Sequence, residues 1–261
     1  MSAGRTALIA GQGALPGLVA ARLDAPVVRH LDGFAPSGLA STPFRIETLG
    51  TLLAELPALG VTEVCFAGRI ARPPVDPARL DTATAPLVPR ILAAMQAGDD
   101  GALTTVVALF EDAGMRVVAP QEIEPSLLDL PVTGTPEDGD LRDIARAAAI
   151  HDALAPLDVG QGCVVSRGQV LAIEALPGTD WMLNSLRGFV RPPGGVFFKA
   201  AKAGQDRRID LPGLGPDTVH AIAAAGLSGL AVEDGGVLVI DRSAVAAALI
   251  ETGLWLHPWT R

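Results

Sequence analysis

Two aspartates, Asp206 and Asp210, stand four residues apart in the stretch KAAKAGQDRRIDLPGLG (199–215), among Lys199, Lys202, Arg207 and Arg208. At that spacing two carboxylates share one face of a helix, or point the same way from an extended segment. Such a pair suits a hard divalent cation such as Mg²⁺, which takes few protein ligands and fills its shell with water and substrate phosphate. An ion of that kind activates water and stabilises the charge that grows on a phosphoryl group. The four basic side chains would neutralise a polyphosphate. The other reading is a solvated loop whose charges satisfy one another. The strip contrasts with an otherwise apolar chain and stops sharply at Pro212 and Gly213.

Five further stretches carry residue types that hold anions or cations. GQGALP (11–16) follows an apolar run and precedes a helical one, so Gly11 and Gly13 would let backbone N–H groups approach a phosphate at a helix start. Pro16 occupies the place of the third glycine of a dinucleotide pattern, which leaves a simple strand-to-helix turn as the alternative. FAGRIARPP (66–74) closes the third apolar run, and ligands of open parallel sheets bind beyond the carboxyl ends of strands. Arg69 and Arg72 would therefore lie beside the GQG turn; exposed charge is the plain alternative. Gly98, Asp99 and Asp100 read either as a helix start or as acids facing a cation. Gly160 and Gly162 bracket Gln161 ahead of an apolar strand, and Gly178, Thr179 and Asp180 open a helix, a second anion site or a cap only.

Other chemistries find no support. His30, His151, His220 and His257 are isolated, and no Gly-x-Ser-x-Gly elbow or Cys–His pair offers a nucleophile. Cys65 and Cys163 lie far apart inside apolar runs and read as buried small hydrophobes. A net charge of −9 argues against a nucleic-acid partner, whose binding surface would be basic. No window reaches the roughly 20 apolar residues that span a bilayer, and the N-terminal run is too short and Gly-broken for a signal peptide. The expected location is the cytoplasm.

The elements that would position these residues follow a βαβ rhythm. TALIAG, PVVRHL, VTEVCFAG and MRVVAP read as strands, separated by helical stretches at LVAARLD, TLGTLLAELPALG and one or two helices over 87–114. That alternation predicts a parallel sheet. The Pro- and acid-rich segment 124–140 reads as a linker, giving domains at 1–130 and 141–261 joined by 131–140. After it come a helix (DLRDIARAAAIHDALA) and short strands at QGCVVSRG, QVLAIEAL and LAVEDGGVLVID, a mixed α/β pattern.

In order, LIAGQGALP, FAGRIARP, GDD, DVGQGCVV, EALPGTDWML and KAAKAGQDRRIDLPGLGPDTV resemble the LpxI type of UDP-2,3-diacylglucosamine pyrophosphatase across nearly the whole chain. The resemblance implies an α/β protein, with an N-terminal Rossmann-like parallel-sheet domain, a C-terminal mixed α/β domain and the substrate held between them. It implies hydrolysis of UDP-2,3-diacylglucosamine to 2,3-diacylglucosamine 1-phosphate (lipid X) and UMP in the lipid A synthesis of Gram-negative bacteria, with Mg²⁺ or Mn²⁺. The catalytic aspartate falls on Asp210, with Asp206 as its companion at the metal. Gly11 and Gly13 match the family's first glycine turn, Thr179 and Asp180 its GTD turn, Lys199 and Lys202 its lysines and Gln205 its QD pair; with Arg69, Gln161 and Arg208 they are the expected substrate-binding residues. Ala203 departs from the family's usual proline. Two acyl chains need an apolar groove, for which GGVFF (194–198) offers a wall, with core packing as its alternative. A homodimer and transient contact with the cytosolic face of the inner membrane are compatible with this reading. A non-catalytic nucleotide-sugar or lipid sensor is the rival. A dinucleotide oxidoreductase is disfavoured by Pro16 and by a second strand read as ending without an acid.

Overall fold

A computed structural model describes residues 4–71, 74–96, 98–189 and 191–261, with the side chain of residue 99 excepted. The chain forms two compact units, one of residues 1–125 with Arg208–Asp210, the other of residues 126–207 and 211–261.

The first unit is an α/β layer structure. Short apolar runs become the strands β1 (Arg5–Ala10), β2 (Val27–Leu31), β3 (Thr42–Phe44), β4 (Val61–Ala67) and β5 (Arg116–Val118). They form one sheet in the order β3-β2-β1-β4-β5, every pair parallel. The helices are α1 (Leu15–Ala20), α2 (Leu49–Ala58), α3 (Val88–Gln96), α4 (Asp99–Asp112) and α5 (Pro120–Ile123). Because side chains alternate along a strand, Ala7 and Ile9 pack with Leu52, Leu56 and Phe110, while Leu8 and Ala10 pack with Val19, Cys65 and Val118. The sheet is thus covered on both faces, as an all-parallel sheet requires. Strand β3 carries Pro43 and lacks an apolar run, and it sits at the sheet edge where a missing donor is tolerated. Ile209 packs against the same core as Phe110.

The second unit mixes strand directions. It contains α6 (Asp138–Leu154), β6 (Gly162–Ser166), β7 (Gln169–Ile173), α7 (Gly178–Ser185), β8 (Val196–Lys199), β9 (Gly213–Leu214), α8 (Pro216–Ala224), β10 (Gly229–Glu233), β11 (Leu238–Val239), α9 (Arg242–Thr252) and β12 (Trp255–Trp259). The main sheet runs β12-β10-β8-β6-β7, the first three strands parallel and the last two antiparallel to their neighbours; β9 and β11 make a small parallel pair. Val164, Phe197, Leu230 and Leu256 face α7, α8 and α9, and Cys163, Phe198, Ala231 and Trp255 face α6. Phe197 and Phe198 are fully buried on opposite faces of β8. They are core, the alternative weighed against a groove wall at GGVFF; the apolar run after two glycines forms a central strand. Over 131–140, where the sequence suggested a linker, Thr133 pairs with Leu256 and α6 begins at Asp138.

Candidate functional site

In the first unit the strand order reverses between β1 and β4, the place where open α/β sheets leave a crevice at the carboxyl ends of the strands. The glycine turn after β1 and the turn after β4 meet there. Gln12 N donates to Arg69 O and Arg69 N to Gln12 O, both at 2.9 Å, and Gly11 N donates to Ala67 O at 2.7 Å. The approach is so close that a Cβ on Gly11 would lie 2.6 Å from Arg69 O. A Cβ on Gly68, whose φ is +94°, would lie 2.8 Å from both Gln12 O and the Pro16 ring. Pro16, which interrupts the dinucleotide pattern, therefore fills the seam between the two turns. Gly13 is different: its φ is +98° and its Cα faces open space.

Helix α1 has only six residues and no side-chain cap. The anion site expected at its start thus rests on the turn's backbone groups rather than on a long helix dipole. The Arg69 side chain is exposed and makes no hydrogen bond or ion pair among the described residues. Arg72 lies outside the described residues. At GDD the N-cap of α4 is Gly98, with no side-chain cap. Asp32 directly follows β2, so that strand does end at an acid; its carboxylate takes Arg45 Nη1 at 2.8 Å.

In the second unit the strand directions bring one end of the sheet together: the carboxyl ends of β7, β8, β10 and β12 and the start of β6. Lys199 closes β8. Its Nζ donates to Glu174 Oε2 at 3.0 Å and to Thr179 Oγ1 at 2.7 Å, and Thr179 Oγ1 donates to Glu174 Oε1 at 2.9 Å. Lys199 is 3% and Glu174 9% exposed. The ammonium is buried only because a carboxylate beside it offsets the desolvation. Gly160 and Gly162 make room for this acid. A Cβ on Gly160 would sit 2.1 Å from Glu174 O, and one on Gly162 would sit 2.8 Å from Glu174 Oε2.

Beyond Lys199 the strip leaves the strand. Lys202 Nζ pairs with Asp158 Oδ1, Arg207 with Glu233 at 2.5 Å, and Arg208, in the first unit, with Glu111 at 2.7 Å. Each basic residue of the strip therefore meets a carboxylate from outside it. Gln205 is buried; its Oε1 accepts from Lys202 N at 2.9 Å, and its Nε2 has no hydrogen-bond partner among the described residues. Gln161 O accepts from Ala200 N at 3.0 Å. Thr179 and the exposed Asp180 lie in the first turn of α7. Asp206 and Asp210 are half-buried on either side of a three-residue turn, Asp206 in the second unit and Asp210 in the first.

The structure thus gathers Gln161, Thr179, Lys199, Lys202 and Gln205 at one sheet end, and Gly11, Gly13 and Arg69 at the switch point of the other unit. Sequence reasoning missed Asp158, Glu174, Glu233 and His151. The crowding at Gly160 and Gly162 was readable as a demand for glycine, but which group crowded them was not.

Among the described residues no group of three or more His, Cys, Asp or Glu is arranged to hold a metal. The donor set in the strip is two half-buried carboxylates. Mg²⁺ takes few protein ligands and completes its octahedron with water and phosphate oxygens.

An α/β protein with a parallel switch-point sheet and a mixed five-stranded sheet is a recognisable class. Its first part, residues 5–127, matches the LpxI N-terminal domain, and residues 129–257 match the LpxI C-terminal domain. The chain is 36% identical, over 95% of both sequences, to a protein of Caulobacter vibrioides named UDP-2,3-diacylglucosamine pyrophosphatase LpxI. The chain belongs to the LpxI family. Among the described residues no helix is long and apolar enough to cross a membrane.

Proposed function

We propose that this protein hydrolyses the pyrophosphate of UDP-2,3-diacylglucosamine to lipid X and UMP, as a cytoplasmic step of lipid A synthesis. The observation that carries this reading is the 36% identity to the Caulobacter enzyme over 95% of both chains. A water oxygen bonds to one phosphorus, and the bridging P–O bond breaks with its electron pair on the departing phosphate.

Asp210 orients the attacking water and accepts its proton. Asp206 and Asp210 would hold a divalent cation, Mg²⁺ or Mn²⁺, which when bound supplies charge stabilisation at the phosphates. Lys199, Lys202 and Arg208 set positive charge against the substrate, each steered by its carboxylate partner. A preorganised charge is worth most where water is excluded, and Lys199 and Lys202 are both buried. Gln161, Gln205, Thr179 and Asp180 contribute hydrogen-bonding groups. Gly11 and Gly13 offer backbone N–H groups, and Arg69 a cation without a protein partner among the described residues.

Incubation of the purified protein with UDP-2,3-diacylglucosamine and Mg²⁺ or Mn²⁺, beside Asp210→Asn, tests the reading. UMP release by the parent alone supports both the activity and the role of Asp210. No UMP from either moves a non-catalytic nucleotide-sugar sensor to first place. Equal release keeps the reaction and removes Asp210 from it.

A further inference from the structure

The backbone between Lys199 and Lys202 has left the sheet, yet its polar groups are held one by one. Ala200 N donates to Gln161 O at 3.0 Å and Ala200 O accepts from His151 Nε2 at 3.0 Å. Ala201 N donates to Glu233 Oε2 at 2.9 Å, and Ala201 O accepts from Arg261 Nη2 at 2.7 Å. Lys202 N donates to Gln205 Oε1 at 2.9 Å. Buried backbone groups outside a ladder need such partners.

One of these partners reaches the segment twice. Glu233 holds Ala201 through Oε2, and through Oε1 it holds Arg207 Nη2 at 2.5 Å. Lys202, Gln205 and Asp206 lie between those two anchor points. The acid itself is fixed: it is the last residue of β10, registered against Trp259 of β12, and is 5% exposed. Its carboxyl folds back over Gly236, where a Cβ would come within 2.4 Å of it. The same turn supplies Gly235 O, which accepts from Arg207 Nη1 at 3.4 Å. No other residue type at 236 leaves that space.

We propose that Glu233 is a positioning residue that sets the conformation of residues 201–207, and through them the placement of Lys202, Gln205 and Asp206 for phosphate chemistry. The effect on turnover rests on the function proposed above; the effect on the segment does not. A displacement near 1 Å in a reacting constellation costs on the order of 100-fold in rate. Glu233→Ala removes both anchors, whereas Glu233→Gln keeps an oxygen for Ala201 N and loses the charge that holds Arg207.

The test joins kinetics to amide hydrogen exchange in the full-length protein. Glu233→Ala is expected to lower kcat about 100-fold and Glu233→Gln about 10-fold, with KM within about threefold. Exchange across 200–207 should accelerate in the same order while peptides from β8 and β10 keep the parent's protection. If Glu233→Ala does not fold, Glu233→Gln alone carries the comparison. A Glu233→Gln enzyme with kcat within about twofold of the parent, or with unaltered exchange across 200–207, overturns the proposal. If the parent itself releases no UMP, the proposed function fails, and the exchange alone decides for or against the anchoring.

Discussion

Lys199 and Glu174 face each other at 3.0 Å at the end of the mixed sheet, both buried, with Thr179 bridging them. Neither side chain is tolerable there alone. Glu174→Gln leaves an uncompensated buried ammonium and is expected to cost about 3–5 kcal/mol in urea unfolding. Adding Lys199→Met removes the orphaned charge and should recover most of that loss. The coupling from the double-mutant cycle measures it; two single losses that simply add would show that the pair has no mutual dependence.

His151 gives the fold a pH dependence whose direction is fixed. Burial holds its pKa below 6.5 against the opposing hydrogen bond to Ala200 O, with Arg261 pushing the same way as burial and Asp152 and Glu233 opposing it. Nε2 carries the proton that Ala200 O accepts, and Nδ1 is buried with no hydrogen-bond partner among the described residues. Below about pH 6.5 the unfolded chain takes up a proton that the folded chain resists. Stability is therefore complete above that pH and falls as the pH drops towards the folded-state pKa. Guanidinium midpoints at pH 8, 6.5 and 5.5 should decline in that order, and His151→Gln should flatten the decline.

The two glycines of the first turn should respond differently to alanine. At Gly11 the new Cβ meets backbone atoms at 2.6–2.8 Å, which cannot swing away, and a loss towards the upper end of about 1–3 kcal/mol is expected. At Gly13 the Cβ meets nothing, so only the φ of +98° is penalised, at about 1–2 kcal/mol. Parallel denaturant melts of Gly11→Ala and Gly13→Ala separate crowding from backbone strain. A larger loss at Gly13 would contradict the seam described between the two turns.

Cys65 and Cys163 are both buried and unpaired, and burial pushes each thiol up to about 12. The thiolate is the reactive form. Native protein at pH 8 should leave Ellman's reagent essentially unreacted over minutes, and two thiols should appear on adding guanidinium. Rapid labelling of either in the native state would mean that the core around it opens.

Much of the first sheet was legible because its strands are short apolar runs in a βαβ rhythm: β1, β2, β4 and β5 stand out in that way. Strand β3 is three residues with a proline, and β12 likewise contains Pro258, so neither carries a strand pattern of its own. Both form because a neighbouring strand supplies the ladder. The strip was legible as a set of charges, but charge does not name its partner. Glu174, Asp158 and Glu233 lie far from the strip in sequence, and only the return of the chain to one sheet end brings them against Lys199, Lys202 and Arg207.

The three residues Arg208–Asp210 count with the first unit although the chain on either side of them counts with the second. Gene architecture inherits a consequence from this. A single cut after Pro125 yields a fragment with all five strands of the parallel sheet but without Ile209, a half-buried side chain packed against its core. The same cut leaves Arg208–Asp210 on the other fragment. A swap of either half at that point separates the first unit from the segment that holds Asp210.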